Sequence, residues 1–272
     1  MNDARNRRSL LLAALISIVA MFPRNSDATI VEFQTVMGSF EVNLYDNATP
    51  DTVANFLAYL NSGAYTNAVY HRSVPGFVVQ GGGFAYNGAL PLDGIPANPS
   101  VANEPVYSNV RGTISMAKLQ GQPNSATNQW FFNLVDNSGA LDGIEEGFSV
   151  FGEVVGNGMD VLDAIALLPT YDFGGATDNL PLQNYTANDF ANNVPPDGNH
   201  LIIVNMITIS DMNVDTAAGL NPPLNNVGGP PPPPPPPPPP SGGGGGGSFG
   251  IFGLLALLIG CRFRRPSINH AN

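Results

Sequence analysis

Cysteine is almost missing from this 272-residue chain. Its one copy, Cys261, excludes an intrachain disulfide, so the fold must be held by its apolar core. Positive charge is nearly as scarce: between Thr29 and Cys261 the only basic residues are Arg72, Arg111 and Lys118, against nineteen acidic ones. A balance of −16 over that stretch repels phosphate backbones and argues against nucleic-acid binding. The three histidines, His71, His200 and His270, lie far apart without metal-ligand spacing, so neither a metal nor a cofactor is expected. No apolar run reaches the ~20 residues that span a bilayer comfortably.

Both ends nevertheless carry shorter apolar runs. Leu10 to Phe22 follows an Arg-rich start, and "RNSDAT" then supplies small residues at Ser26 and Ala28. That order predicts a secretory signal over 1–28, cut after Ala28, with a first transmembrane anchor as the alternative. Near the other end, an unbroken proline run from Pro230 to Pro240 and "SGGGGGGS" precede the run from Phe249 to Cys261 and a basic "RFRR". Prolines give a stiff rod and glycines a flexible joint, so 213–248 reads as a disordered linker and 249–272 as a sorting or anchor segment. This leaves a globular domain over 29–212.

Within that domain, "TIVEFQTVMGSFEVNLY" alternates apolar and polar residues on both sides of "MGS", as a hairpin with one buried face does. "TPDTVANFLAYLNSG" changes to helical spacing at Val53, Phe56, Leu57 and Leu60, with Thr49 as N-cap, Pro50 at the first position and Gly63 as the stop. Strands are predicted in "AVYHR", "FVVQGG", "RGTISMA", "NQWFFNLV", "FSVFGEVV" and "LIIVNMITIS", and a second helix in "MDVLDAIALLP". Many antiparallel strands with two helices predict a mainly β fold, a closed barrel capped at its ends, because closure removes exposed edges. The Asn-, Asp- and Gly-rich stretch 170–200 reads as a long ordered or semi-ordered loop.

Three tempting motifs are weak. Gly156-x-Gly158 before a helix imitates a dinucleotide fingerprint, but Val161 fills the third glycine position and no parallel βαβ repeat surrounds it. His71 near Ser73 suggests a hydrolase, yet no G-x-S-x-G elbow exists, and a hydrogen-bonded structural histidine is the commoner case. Gly81, Gly82 and Gly83 lack the helix and lysine of a phosphate cradle and mark a close approach of another backbone instead. Arg72 stands apart, with Phe77, Val79, Phe131 and Phe132 in strand-like segments able to enclose a pocket. Patterning alone leaves two readings open for it, a paired surface charge or the polar anchor of an apolar site.

The segments "YHRSVPGFVVQGGGF", "RGTISMAK", "NSATNQWFFNLVDN" and "LDG…FSVFGEVVGNGMDVLDAI", in this order, closely resemble the cyclophilin-type peptidyl-prolyl isomerases, from about Thr29 to Ser210. "NSAT" and the triple glycine are most similar to the bacterial exported branch. The resemblance implies an about eight-stranded closed barrel and places Arg72 on the catalytic arginine. It puts Phe77, Val78, Gln80, Ala117, Gln129, Phe131, Leu141 and Phe148 on the substrate groove, Gln80 hydrogen-bonding near the arginine and Phe131 as the floor of the proline pocket. Val78 stands where many relatives have Met, and Phe148 where His or Tyr is common. Ala140 stands where relatives carry Trp or Phe, which thins the wall that grips cyclosporin-like macrocycles.

The implied activity is isomerisation of prolyl bonds in exported polypeptides by a monomer, or else the non-catalytic holding of proline-rich peptides by the same groove. The Gly/Ser-rich stretch, apolar run and basic end of the tail are similar to the GlyGly-type sorting segments that rhombosortases process. Signal peptidase and a rhombosortase are therefore expected partners, with membrane contact through the tail. The expected destination is the periplasm, the cell surface or the medium of a Gram-negative bacterium.

Overall fold

The computed structural model describes residues 29–211 and 220–226. The expected signal segment, the proline run and the expected sorting segment lie outside the described residues.

The predicted hairpin forms from β1 (Ile30–Thr35) and β2 (Gly38–Leu44). Val31 lies opposite Val42 and Phe33 opposite Phe40, so one face of the pair is apolar and fully buried. α1 (Pro50–Asn61) follows with Pro50 in its first turn. Its start is not capped as expected. The Thr49 hydroxyl donates to the Tyr45 carbonyl, and the free N–H groups of Asp51 and Thr52 go to the Glu104 carboxylate, at 3.3 and 2.8 Å.

The chain continues through β3 (Ala68–Val69), β4 (Arg72–Val74), β5 (Val78–Gly81), β6 (Phe84–Ala85) and β7 (Asp93–Gly94). Next come β8 (Thr113–Met116), β9 (Trp130–Asn133), the short α2 (Ser138–Leu141), β10 (Val150–Val155) and α3 (Gly158–Ala166). A small hairpin, β11 (Thr170–Tyr171) and β12 (Leu180–Pro181), the short α4 (Ala187–Ala191) and β13 (Ile203–Asp211) complete it.

Eleven of these strands make one curled sheet in the order β4-β5-β9-β8-β10-β2-β1-β13-β3-β6-β7. The expected closed ring of about eight strands is not itself shown by this order, whose hydrogen-bonded ladder begins at β4 and ends at β7. The chain itself draws the two sides together. Only Tyr70 and His71 separate β3 from β4; the Tyr70 N–H donates to Ile202 and the His71 N–H to Gln80.

Inside the curl, Phe33, Phe40, Phe56, Trp130, Phe132 and Phe151 form the core with α1 and α3 packed against it. Phe33 meets Trp130 edge-on, with ring centres 5.3 Å apart. Leu162 and Ile165 of the predicted α3 stripe are fully buried, and Val161 and Leu168 pack at its margin. Before α3, Gly156 adopts a left-handed φ of +60°, and a Cβ at Gly158 would lie 2.5 Å from Val154. The dinucleotide look-alike is a turn with close packing.

The 170–200 stretch is a folded insertion. Thr186 and Asp189 make a reciprocal capping box at the start of α4. Leu180, Leu182 and Tyr185 form a second small core with Val69, Leu201 and Ile203. Within the stretch expected to be linker, the described segment Leu220–Asn226 docks on the domain. Ser108 donates its N–H to the Pro223 carbonyl, Asn225 donates its own to Val106, and the Asn225 amide donates to Asp142.

Candidate active site

Cross-strand register builds the site. Arg72 in β4 lies opposite Gln80 in β5, Gln80 opposite Phe131 in β9, and Phe131 opposite Ser115 in β8. Directly opposed residues share a face, and neighbours along each strand point the other way. Val79, Phe132 and Ile114 therefore enter the core, while Arg72, Gln80 and Phe131 stand in one row outside it.

Beside that row a separate apolar cluster gathers Val78, Phe131, Leu141 and Phe148, with Phe77, Ala117 and Ala140 packed at its margin. The Phe131 and Phe148 rings meet edge-on at 5.7 Å. The Gln80 amide donates to Gln129 Oε1 at 2.8 Å, and the Gln129 carbonyl receives the Ala117 N–H. The structure thus brings all nine predicted site residues, and Ala140, into one region.

A polar layer of residues that sequence reasoning passed over lies beneath the cluster. Asn137 donates to the Phe77 carbonyl at 2.9 Å and to Asn133, which donates in turn to Thr113. The buried Asp142 carboxylate, directly after Leu141 of the cluster, accepts from the Asn109 backbone and side chain, both at 2.9 Å, and from Ser108. Asn133 at the end of the apolar strand β9 was the available signal, since a buried polar group persists only where satisfied.

Each of the three Lys and Arg side chains among the described residues has a place. Arg111 forms a two-pronged pair with Asp163 at the surface. Lys118 donates to the Glu145 and Gly147 carbonyls and lies 4.5 Å over the Phe148 ring, tying that side of the cluster down. Burial lowers its pKa to about 8, against the pull of Glu145 and Glu146. Arg72 is held at the rim with only 12% of its side chain exposed. Its neighbour is Asp178 of the insertion, 3.6 Å from Nε, a partner that no local pattern announced.

His71 is not a base for Ser73, whose buried hydroxyl makes no hydrogen bond among the described residues. The imidazole is 1% exposed and packs edge-on against Phe84. Burial holds its pKa down at about 4, with a smaller push from Arg72 and opposing contributions from Val69 and Gln129. Because the folded value lies below the ordinary 6.5, the unfolded chain takes up the proton first as pH falls. The stability this neutral histidine contributes is complete above about pH 6.5 and is lost toward about pH 4. Denaturant unfolding should show about 2 kcal/mol less stability at pH 5 than at pH 7.5 from this group. His71→Gln should flatten that slope; an unaltered slope in the variant would assign it elsewhere.

Of the three glycines only Gly82 has another backbone as its nearest neighbour, as expected; Gly81 and Gly83 face the side chains of Trp130 and Gln129. A Cβ on Gly82 would lie 2.4 Å from the Asn128 carbonyl oxygen and 2.6 Å from the Trp130 indole nitrogen. Among the described residues no group of three or more His, Cys, Asp or Glu could hold a metal ion. The arrangement offers one nearly desolvated guanidinium beside a buried apolar cluster.

This fold and site define a family. Residues 30–187 match the family model described as cyclophilin type peptidyl-prolyl cis-trans isomerase, and the chain belongs to that family. It is 38% identical over 156 residues to the peptidyl-prolyl cis-trans isomerase of Acinetobacter baylyi, covering 57% of this chain and 80% of that one. It is 42% identical over 141 residues to peptidyl-prolyl cis-trans isomerase B of Escherichia coli, covering 50% and 82%. Isomerase A of Dickeya dadantii is 38% identical over 172 residues, covering 60% and 87%.

Proposed function

We propose that this cyclophilin-type domain rotates prolyl bonds in exported polypeptides, with Arg72 stabilising the twisted amide. The observation that carries the reading is the row of Arg72, Gln80 and Phe131 alongside a closed apolar cluster. Amide resonance gives the C–N bond a rotation barrier of ~18–20 kcal/mol. Twisting the bond returns lone-pair density to the prolyl nitrogen. An N–H of Arg72 aimed there interacts more strongly with the twisted state than with either planar one, which is what accelerates the step. Phe131, Val78, Leu141 and Phe148 hold the pyrrolidine ring while the preceding carbonyl swings. Gln129, linked to Gln80, and Ala117 contact the peptide backbone. The step needs no nucleophile and no proton transfer.

A protease-coupled assay on a short X-Pro peptide tests this. Isomerisation should far outpace the uncatalysed reaction, which takes ~10–100 s. Retained peptide binding without acceleration would make the groove a holding module instead.

At Ala140 the family resemblance offers a specificity test. Ala140 packs at the edge of the pocket cluster, where a larger side chain would extend the wall. Ala140→Trp should tighten binding of cyclosporin severalfold or more, because a buried aromatic adds a large contact area. Isothermal titration on both proteins reads the difference, and equal affinities would contradict this view of the wall.

We also propose export and tail removal, supported by the apolar runs and basic residues at the two ends. The segment 1–28 is cut after Ala28 and the tail near the glycine run, releasing the domain to the cell surface or the medium. Intact-mass measurement on protein from its native host should find neither Met1 nor Cys261. A final form that keeps Cys261 and "RFRR" would instead be anchored, with a proline rod reaching about 34 Å at ~3.1 Å per residue as its spacer.

A further inference from the structure

The folded insertion between α3 and β13 delivers an acid to the site's cation, and we infer that Asp178 is a positioning residue for the Arg72 guanidinium. The inference rests on the reading of Arg72 given above. β12 runs along β4, and the Ser73 N–H donates to the Asn179 carbonyl at 2.8 Å. That bond joins the residues immediately after Arg72 and Asp178, so the two side chains are brought together by backbone structure. Asp178 Oδ1 then lies 3.6 Å from Arg72 Nε, with side-chain exposures of 27% and 12%. At 3.6 Å the contact is an ion pair rather than a hydrogen bond, and Nε makes no hydrogen bond among the described residues.

The chemistry depends on which nitrogen is engaged. Nε is the root of a planar fork, and an anion beside it restrains the rotation that sets where the two terminal nitrogens point. Catalysis by a single donor is sensitive to aim, since a misplacement of about 1 Å can cost about 10²-fold. A carboxylate also weakens the guanidinium's field at the prolyl nitrogen. Alignment wins here because a guanidinium so far out of water, without a counter-charge, would turn toward solvent. The insertion can hold such an aim. Leu180 and Leu182, just beyond Asp178, are fully buried against Val69 and Ile203, and the 3₁₀ turn Gly175–Thr177 ends at Asp178 itself.

Asp178→Asn keeps the shape and removes the charge. We expect kcat to fall about tenfold with KM within about twofold, since aim rather than peptide binding is lost. Asp178→Glu should recover part of the rate, and it serves as the test if the Asn variant does not fold. In an Arg72→Lys background, which lacks the fork, Asp178→Asn should change kcat by less than about twofold. Wild-type kcat in a folded Asp178→Asn protein, or the same loss in both backgrounds, would overturn the positioning role. An inactive wild-type protein would overturn the reading of Arg72 and this role with it. An active wild type indifferent to Asp178→Asn would remove only the latter.

Discussion

Replacing Arg72 by Ala is expected to lower kcat by about 10²- to 10³-fold, the usual cost of removing one preorganised transition-state donor. The protein should remain folded. Arg72 stands in the outward-facing row of β4, and the strand keeps its backbone pairing to Gln80 whatever side chain residue 72 carries. The large apolar groups of the core lie on the opposite face, at Val79 and Phe132. Lys should restore little, because an ammonium keeps the charge and loses the planar fork. KM should change far less than kcat, since the apolar cluster still holds the proline ring. Steady-state kinetics with a parallel unfolding curve checks all three statements. Wild-type turnover in a folded Arg72→Ala protein would contradict the mechanism outright.

Gly82→Ala is expected to cost the most stability of any single methyl addition considered, about 3 kcal/mol or more. Two costs coincide at this position. Its φ of +79° is left-handed, and the new Cβ would meet a backbone carbonyl at 2.4 Å. The obstructing groups cannot easily withdraw. The Asn128 carbonyl accepts from the Tyr65 hydroxyl at 2.8 Å, and the Asn128 amide donates to Ile95 at 2.7 Å. Trp130 is fully buried against Phe33 and Tyr70. Gly88→Ala separates the two costs, because Gly88 has a φ of +105° with nothing within 4 Å. It should lose only the backbone share, about 1 kcal/mol. Denaturant unfolding of both variants reads the difference. Equal losses would show that the close approach at Gly82 carries no energetic weight.

What the sequence made legible was whatever depends on neighbours in the chain. Period-two alternation placed β1 and β2, and helical spacing placed α1 and α3, because in each case one face is buried and the other is not. The row of Arg72, Gln80 and Phe131 was legible through linked motifs: "HRSVPGFVVQ" fixes Arg72 and Gln80 across a turn, and "NQWFF" then puts Phe131 beside Gln80. Contacts made across long stretches of chain were not. Glu104 takes over the capping of α1, a role local pattern gave to Thr49, and Asp178 is one acid among several in a polar loop. Leu220–Asn226 has the composition of a linker, yet pairs with Val106 and Ser108 through backbone groups that any sequence carries. The strands at the end of the sheet were hidden for a similar reason. β6 and β7 are two residues each, too short to show a period, and they extend the sheet beyond the ring the longer strands suggested.

The most direct measurement is exchange NMR on a proline-containing peptide with a catalytic amount of wild-type protein. Cross-peaks between the cis and trans signals should appear on a sub-second timescale, far inside the ~10–100 s of the free peptide, and should vanish with Arg72→Ala although the peptide still binds. Bound peptide without exchange in the wild type, or exchange that survives in the Ala variant, would contradict rotation of the prolyl bond at Arg72.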